Sequence, residues 1–366
     1  MSECNLQDNL RHITNGRHLT ADEASGTMRS LIDGLATPAQ IGALLIALRM
    51  KGETVTEVAS FAREMRLRLV PVTPKRRPLL DTCGTGGSAC RVFNVSTAAA
   101  FIVAETGVGV AKHGNRAVSG VCGSADVLEA LGVRIDLAPE HCANCIDVLG
   151  IGFLFAPAHH PALRYVSGPR RELGVRTVFN LLGPLSNPAG ATLHVMGVYD
   201  GELCPLAAGA LRELGSDRAV VVHGEIGMGE ISTIGPTRIS ELRDRSISHY
   251  VLTPADLGLH GPEPALMDIA PAPTAAANAD LLRNVLGGHD SDWRARSRRN
   301  LIAVNVAAAL RVAGITEDWP AGVEHAQDLL SSGCGLQVLD RLAAFTQDTS
   351  TSRNPQTTST HAKQPK

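Results

Sequence analysis

A short cationic segment carries the clearest chemistry in the sequence. Lys112-His113-Gly114-Asn115-Arg116 places two cations, an imidazole and an amide within one short stretch. Donors of this kind form charge-assisted hydrogen bonds with phosphate oxygens. The segment directly follows Val108 to Ala111, an apolar run that we interpret as a strand. We therefore predict that it closes over a polyanion, although an ordinary solvated loop would use the same residue types.

A glycine-rich turn lies upstream of this segment. Gly84-Thr85-Gly86-Gly87-Ser88 stands between an apolar strand at 79–82 and a helix that begins near Ser96. Glycines allow the backbone to approach an anion closely and to point amide groups at it. The turn has neither the Gly-Lys-Ser/Thr of a Walker loop nor the spacing of the dinucleotide fingerprint. A tight strand-to-helix turn would need the same glycines, so both interpretations remain open.

Two further polar segments accompany the turn. Asn94-Val95-Ser96-Thr97 precedes a helix, where its polar groups can cap the helix and bind a second phosphate or a metal carried by one. Small residues of a second, hydrogen-bonding loop follow the cationic segment: Ser119, Gly120, Gly123 and Ser124.

A parallel sheet is the element that would bring these segments together. Short apolar strands at 79–82, 108–111, 153–155, 195–199 and 219–223 alternate with helical stretches, and long helices follow at 276–286 and 292–313. Such alternation predicts βαβ units with helices on both faces of a mainly parallel sheet. Ligands of these folds bind at the carboxyl ends of the strands, which is where the polar segments fall.

The N-terminal region predicts helices only. Thr20 and Glu23 form a capping box, Thr37-Pro38 starts a second helix, and a third runs from Thr54 to about Leu69. We predict a small helical domain at 1–74 with 160–190 folding back onto it. The α/β domain would comprise 75–159 and 191–346, and the polar tail 347–366 would be disordered.

Composition restricts the classes of protein to consider. The chain is 44% hydrophobic and 19% charged, with a formal net charge of -2, so no basic surplus points to nucleic acid. The sequence shows neither a long apolar run nor a secretory signal, and we expect no membrane contact. Its eight cysteines are scattered, which favours reduced thiols and a cytoplasmic location.

Several ungapped blocks carry a resemblance to a known family. GTGG at 84–87, NVST at 94–97, KHGNRAVSG at 112–120, GSADVLEALG at 123–132, FLFAPAHHPA at 153–162 and RRELGVRTVFNLLGPLSNPA at 170–189 look like the anthranilate phosphoribosyltransferases. The likeness covers roughly residues 5 to 345. It implies a small helical domain plus a larger α/β domain of the nucleoside phosphorylase and phosphoribosyltransferase type, and a homodimer.

The resemblance also implies an activity. Members of the family transfer the phosphoribosyl group of 5-phosphoribosyl 1-pyrophosphate to the amine of anthranilate, release pyrophosphate and use magnesium, as a step of tryptophan biosynthesis. Two alternatives remain: a paralogue that uses another aromatic acceptor, and a degenerate donor-binding protein without turnover.

Roles for single residues follow from the same resemblance. The catalytic group would be Lys112, Asn115 and Arg170. Donor binding is implied for Gly84, Gly87, Ser88, Val92, Asn94, Val95, Ser96, Thr97, Lys112, His113, Gly114, Asn115, Arg116, Ser119, Gly120 and Ser124. Acceptor binding is implied for Gly84, His113, Asn115, Pro157, His160, Arg170 and Gly183. Metal binding is implied for Ser96 and Glu230.

The sequence departs from the family pattern at two acidic positions. Ser88 stands where the glycine loop normally ends in aspartate, and Gly229 stands where an aspartate normally precedes Glu230. Magnesium prefers oxygen ligands, carboxylates above all. We therefore predict weaker magnesium binding than is usual in the family, with Glu225 as a candidate substitute ligand. Val121, Cys122 and Pro169 are also unusual for the family.

Overall fold

A computed structural model of the chain describes residues 5–117, 121–289 and 292–348. The predicted tail lies outside the described residues except for its first two positions, and Gln347 is the last residue of a helix rather than part of a disordered segment. Ser119 and Gly120 also lie outside the described residues.

Four helices form the N-terminal region: α1 (Leu6–Thr14), α2 (Ala21–Ile32), α3 (Pro38–Lys51) and α4 (Val55–Arg66). Helices α2, α3 and α4 each begin at a threonine N-cap that completes a capping box. The box predicted at Thr20 and Glu23 and the helix start predicted at Thr37-Pro38 are confirmed. Helix α4 ends at Arg66 rather than near Leu69.

A buried ion pair connects the helices of this region. The Glu57 side chain is fully buried, accepts hydrogen bonds from the Leu19 and Thr54 amides (2.8 Å each), and pairs with Lys51 Nζ at 2.9 Å. Its carboxylate thereby connects the segment before α2 to the start of α4. Each of its oxygens has a donor, so the charge is compensated despite the burial.

We expect Glu57→Gln to lower the free energy of unfolding by about 3 kcal/mol, because Lys51 loses its buried counter-ion. Urea denaturation at neutral pH measures this effect. Glu23→Gln is the matched control, since Glu23 occupies the same capping-box position of α2 but remains partly exposed. A loss of less than 1 kcal/mol is expected there. Equal losses in the two variants would contradict the role of burial.

A seven-stranded sheet forms the larger region, in the order β3-β2-β1-β4-β5-β6-β7. The first five strands in this order pair in parallel, and β6 and β7 add an antiparallel hairpin at one edge. The strands are β1 (Leu79–Asp81), β2 (Gly109–Gly114), β3 (Ile151–Phe155), β4 (Leu193–Gly197), β5 (Arg218–Gly224), β6 (Thr237–Arg243) and β7 (Ser246–Leu252). The mainly parallel α/β class is as predicted, whereas the hairpin was not anticipated.

Strand β2 runs further than the sequence suggested. Lys112 pairs with Phe153, and His113 pairs with Leu154, as residues of the parallel β2–β3 ladder. The cationic segment therefore begins inside the sheet and not in a loop after it. The buried Lys112 side chain has hydrogen-bond partners in neighbouring segments.

Helices cover the sheet and link its strands. They are α5 (Val95–Glu105), α6 (Ser124–Ala130), α7 (Pro139–Leu149), α8 (Ala156–His159), α9 (Arg164–Leu173), α10 (Phe179–Leu182), α11 (Leu203–Glu213), α12 (Leu266–Ile269), α13 (Ala275–Leu286), α14 (Trp293–Val312), α15 (Trp319–Ser331) and α16 (Cys334–Gln347). One apolar core lies between the sheet and helices α5, α13, α14, α15 and α16.

A second apolar core joins the helical region to the other side of the sheet. It includes Leu44 and Leu45 of α3, Val166 of α9, Phe179 of α10 and Val221 of β5. Helix α9 packs against α2 and α3, so the stretch between β3 and β4 lies on the N-terminal helices. No helix within the described ranges is long and apolar enough to cross a bilayer.

Candidate functional site

The glycine-rich turn is fixed at both ends by neighbouring segments. The Thr85 amide donates to the carbonyl of Gly197 at the end of β4 (2.9 Å), and the Cys90 amide donates to Gly227 (2.9 Å). Between these anchors, Gly86 and Gly87 have φ values of 64° and 74°. A side chain would strain this left-handed conformation, so the turn needs glycine at both positions.

The same turn leaves backbone donors free. The amides of Gly86, Gly87 and Ser88 have no acceptor among the residues that the structure describes. Successive unpaired amides in a left-handed turn form a concave anion site. The two interpretations of the glycines are therefore compatible, because the conformation that requires glycine also exposes the amides.

Lys112 lies at the centre of the site and is 3% exposed. Its ammonium group donates to the Thr82 carbonyl (3.2 Å), the Thr82 hydroxyl (3.3 Å) and the Ser96 hydroxyl (3.3 Å). Burial lowers the pKa of Lys112, and the neighbouring Cys83, Asp81 and Glu230 oppose that shift. The Lys112 ammonium thus joins the residue after β1 to the first turn of helix α5.

Two carboxyl groups lie near this cation in different states of pairing. Burial raises the pKa of Asp81 to about 6, against hydrogen bonds from Asn187 (2.7 Å) and the His113 amide (3.1 Å). Burial also raises the pKa of Glu230 to about 7, which Lys112 partly offsets. The Glu230 carboxylate has no hydrogen-bond donor within the described ranges, so its oxygens are available to a ligand.

The segment before α5 differs from its predicted role. Asn94 is the N-cap residue, but its side chain makes no capping bond and donates instead to the Cys122 carbonyl (3.2 Å). Val95 and Thr97 are each 1% exposed, so their side chains belong to the core and only their backbone can face a ligand. Val92 is likewise packed against the core. Within the segment 94–97, Ser96 is the residue whose side chain contacts Lys112.

The end of the cationic segment is engaged with helix α6. The Arg116 guanidinium pairs with Glu129 and Asp126, whose hydrogen bonds raise its pKa. The Asn115 side chain accepts from the Arg116 amide (2.7 Å), and the Ser124 hydroxyl donates to the Asn115 carbonyl (3.3 Å). Arg116 and Asn115 are thus paired with neighbouring groups of the loop and α6, and the donor role implied for them stays a prediction.

A pair of buried histidines lies beside the turn. The ring centroids of His113 and His160 are 5.1 Å apart, and the two side chains are 2% and 6% exposed. Burial, then the neighbouring His160, lowers the pKa of His113, and burial lowers the pKa of His160 to about 4. Both ring nitrogens of His113 and Nε2 of His160 have no hydrogen-bond partner in the described part of the chain.

Arg170 provides an unpaired guanidinium on α9. Its Cζ lies 5.0 Å from the ring centroid of Phe179, and burial lowers its pKa. It forms no ion pair within the described residues, although a partly buried guanidinium normally has an anionic partner. Gly183 follows the helix that carries Phe179, while Pro157 is exposed one turn before His160. The acceptor role implied for these three positions stays a prediction.

The two departures from the family pattern lie next to each other. A Cβ atom built on Gly229 would lie 2.9 Å from the Ser88 hydroxyl oxygen. The missing carboxyl groups would thus have faced one another across the site. Glu225, the candidate substitute, is ion-paired with Arg238, which also binds Glu202 at 2.7 Å. The prediction that Glu225 could replace the missing ligand finds no support in this geometry.

Asn187 and Asp81 belong to the site but were not predicted from the sequence. Asn187 is buried and bridges Asp81 to the Ala111 carbonyl (2.8 Å), which ties β1 to β2. The Asp81 carboxylate, the Cys83 thiol and the His113 ring lie within 4.8 Å of one another. The position of Asp81 at the carboxyl end of β1 was the available signal, since that edge of a parallel sheet is where ligands bind.

A helical bundle beside an α/β sheet is the architecture of a class of glycosyl transferases. Residues 7–68 match the helical bundle domain of the glycosyl transferase family, and residues 76–336 match its a/b domain. The anthranilate phosphoribosyltransferase of Moorella thermoacetica is 46% identical over 340 residues, which cover 93% of this chain and 98% of that protein. The chain therefore belongs to the anthranilate phosphoribosyltransferase family.

Solved structures agree with this assignment. A crystal structure of anthranilate phosphoribosyltransferase from Thermus thermophilus has a TM-score of 0.85 and 42% identity, and covers 93% of this chain and 99% of that one. The Saccharomyces cerevisiae enzyme in complex with PRPP and Mg has a TM-score of 0.82 and 27% identity, with 94% and 98% coverage. The predicted combination of a helical domain and an α/β domain is confirmed.

Proposed function

We propose that this protein transfers the phosphoribosyl group of 5-phosphoribosyl 1-pyrophosphate to the amine of anthranilate and releases pyrophosphate. The observation that carries the proposal is the buried Lys112 ammonium between Thr82 and Ser96, with the unpaired Glu230 carboxylate near it. Family membership supports the same reaction, which belongs to tryptophan biosynthesis.

In the proposed reaction the amine nitrogen bonds to C1 of the ribose as the C1–O bond to pyrophosphate breaks. One N–H proton is then released. A neutral aryl amine needs no strong base, so catalysis consists of positioning and of stabilising the leaving group. We assign leaving-group binding to Lys112 and to the free amides of Gly86, Gly87 and Ser88.

The acceptor would occupy the space between the histidine pair and Arg170. The Arg170 fork matches a planar carboxylate bidentately. His113 is neutral at physiological pH because its pKa is lowered, so its unpaired ring can contact an aromatic amine without charge repulsion. Asn115 would have to turn from its bond with the Arg116 amide to reach the acceptor.

Magnesium is the metal that we propose as cofactor. The unpaired carboxylate of Glu230 and the hydroxyl of Ser96 are hard oxygen donors, which fit one magnesium ion shared with the donor's pyrophosphate. Bound magnesium would neutralise charge on the leaving group. The neutral contact between Ser88 and Gly229 offers no carboxylate for a second ion.

We expect the double variant Ser88→Asp with Gly229→Asp to bind magnesium about tenfold more tightly in the presence of pyrophosphate, because each carboxylate adds a charged ligand. Without metal the facing carboxylates repel, so the melting temperature should fall and magnesium should restore it. Calorimetric magnesium titration and thermal melting measure both effects. Ser88→Asn with Gly229→Asn controls for size; equal magnesium affinity in the two double variants would contradict the prediction.

We expect Arg170→Gln to raise the KM for anthranilate about 10- to 100-fold, because one charged hydrogen-bonding group to the carboxylate is lost. Initial rates with each substrate varied test this. Arg171→Gln, on the exposed neighbouring position, is the control. With an aryl amine that lacks the carboxylate, wild type and Arg170→Gln should behave alike; a persisting difference would argue against a carboxylate contact.

Pyrophosphate release with and without anthranilate, across a magnesium series, tests the whole proposal. Release that depends on anthranilate supports the family reaction. Release with another aromatic acid or amine alone would favour the paralogue. Donor binding without release by any acceptor would favour a degenerate binding protein.

We also propose a cytoplasmic homodimer joined through the helical domain of 1–74 and 160–190. The seven cysteines within the described ranges are free thiols, as a reducing compartment requires. Leu35, Met50 and Leu67 of the helical region are 75%, 83% and 72% exposed, which suits a partner surface. Light scattering of the purified protein tests the oligomeric state.

A further inference from the structure

Arg176 links the acceptor side of the site to the glycine-rich turn. It lies in the segment between α9 and α10, and its guanidinium donates to the carbonyl of Gly87. Its Cζ lies 4.4 Å from the ring centroid of Tyr199, just beyond the end of β4. Its own carbonyl accepts a hydrogen bond from Arg49 of α3 at 2.6 Å. One residue therefore contacts the turn, the sheet and the helical region.

The bond to Gly87 controls the direction of a peptide group in the anion site. In a trans peptide the carbonyl and the following N–H point in opposite directions. A guanidinium that holds the Gly87 carbonyl therefore also fixes the Ser88 amide, one of the three unpaired donors of the turn. Glycine makes the turn conformationally permissive, so an external contact is needed to select one orientation.

The other neighbours of Arg176 belong to the acceptor side. Arg170 lies six positions before it on α9, whose last turn closes with the Gly174 amide donating to the Arg170 carbonyl (3.3 Å). Phe179, which stacks on Arg170, lies three positions after it. The Thr177 amide donates to Asn180 (3.0 Å), which fixes the start of α10. Arg170 and Arg176 thus lie on one short stretch of chain whose two ends are fixed by the end of α9 and the start of α10.

We propose that Arg176 is a positioning residue that couples acceptor binding at Arg170 to the orientation of the donor turn. This inference rests on the proposed function and extends it to the way in which the acceptor site and the donor site influence one another. The free energy of such coupling is reciprocal, so each ligand must strengthen the binding of the other by the same factor.

A purely structural role predicts a different result. The Arg176 side chain is exposed, and exposed polar contacts of this kind contribute little to stability. A structural role would therefore leave every binding constant close to wild type. A coupling role leaves the melting temperature unchanged but alters pyrophosphate affinity and its dependence on anthranilate.

Calorimetry on the full-length protein with magnesium distinguishes these roles. We expect Arg176→Met to weaken pyrophosphate binding about tenfold, the effect of one charged hydrogen bond. The factor by which anthranilate strengthens pyrophosphate binding should fall toward one. Arg171→Met is the matched control, because Arg171 is an exposed arginine on α9 with no side-chain bond in the described ranges. Arg49→Met should change the coupling in the same direction by a smaller factor.

Three outcomes would overturn the proposal. The first is that anthranilate does not strengthen pyrophosphate binding by the wild type. The second is that the factor by which it does so is unchanged in Arg176→Met. The third is that Arg171→Met changes this factor as much as Arg176→Met does. Pyrophosphate release by the wild type is measured in parallel. If the wild type turns over and coupling is unchanged in Arg176→Met, this proposal alone is refuted. If the wild type does not bind pyrophosphate, the proposed function is refuted as well. Arg176→Lys, which keeps a donor, should recover part of the lost affinity.

Discussion

Lys112→Met is expected to lower kcat/KM for anthranilate-dependent pyrophosphate release by about 100- to 1,000-fold, the effect of removing one preorganised group that stabilises developing charge. The Lys112 ammonium is held by Thr82 and Ser96 before any ligand binds, so it needs no reorganisation during the reaction. Its loss also removes the cation that holds the pKa of Glu230 down. Glu230 would then be protonated at neutral pH, which weakens its hold on magnesium.

Steady-state rates with both substrates at several pH values test this expectation. The variant should recover a little activity as the pH rises, because higher pH ionises Glu230 again. Lys75→Met, in the exposed segment before β1, is the control and should retain wild-type rates. A Lys112→Met protein with wild-type melting temperature and wild-type kcat/KM would contradict the assignment of Lys112 to the leaving group.

Gly197→Ala is the second substitution with a large expected effect. A Cβ atom on Gly197 would lie 1.6 Å from the Gly229 carbonyl oxygen, so the loop that carries Glu230 must move by more than an ångström. The Gly197 carbonyl also accepts the Thr85 amide, and the movement therefore reaches the glycine-rich turn. Misplacement on this scale can cost about 100-fold in rate. We expect that loss together with a lower melting temperature.

Thermal melting and pyrophosphate affinity measure the two consequences separately. Gly42→Ala serves as the control, because Gly42 lies within helix α3 with open space where a Cβ would be. Alanine there should stabilise the protein by about 0.5 to 1 kcal/mol. A Gly197→Ala protein that binds pyrophosphate normally would mean that the loop can yield without disturbing the site.

Local signals explain what the sequence predicted well. The capping box at the start of α2 and the Thr37-Pro38 start of α3 depend on residues at most three positions apart, so the sequence contains the whole signal. The strand, glycine turn and helix around Gly84 are equally local. The alternation of short apolar strands with helices, and the helical stretch at 160–190, were likewise visible in the residue pattern.

The antiparallel hairpin was missed for an identifiable reason. Its turn residues, Asp244 and Arg245, have φ values of 49° and 61°. Hairpin turns with two left-handed residues usually show Asn-Gly or Asp-Gly, and neither pair is present. The only apolar residues of β6, Ile239 and Leu242, are three positions apart, so the strand also lacks the period-two alternation that would have marked it.

Long-range contacts account for what the sequence did not predict in the site. The burial of Lys112 depends on Thr82 and Ser96, which only the sheet order brings together. The ion pairs of Arg116 with two carboxylates on α6 had no signal in the sequence either. Arg176 had no motif of its own, since its partner is a main-chain carbonyl far away in the sequence.

The unpaired amides of the glycine-rich turn have a consequence for mutational surveys. Replacement of Ser88 by alanine removes a hydroxyl but keeps the backbone amide. Such a substitution would therefore cause almost no loss of activity, although we assign binding of the phosphoribosyl donor to this position. Sensitivity would appear instead at Gly86 and Gly87, where any added carbon opposes the left-handed backbone. Binding sites usually depend on polar side chains. In this turn the glycines would tolerate the fewest substitutions, whereas the side chain of Ser88 could be replaced with little effect.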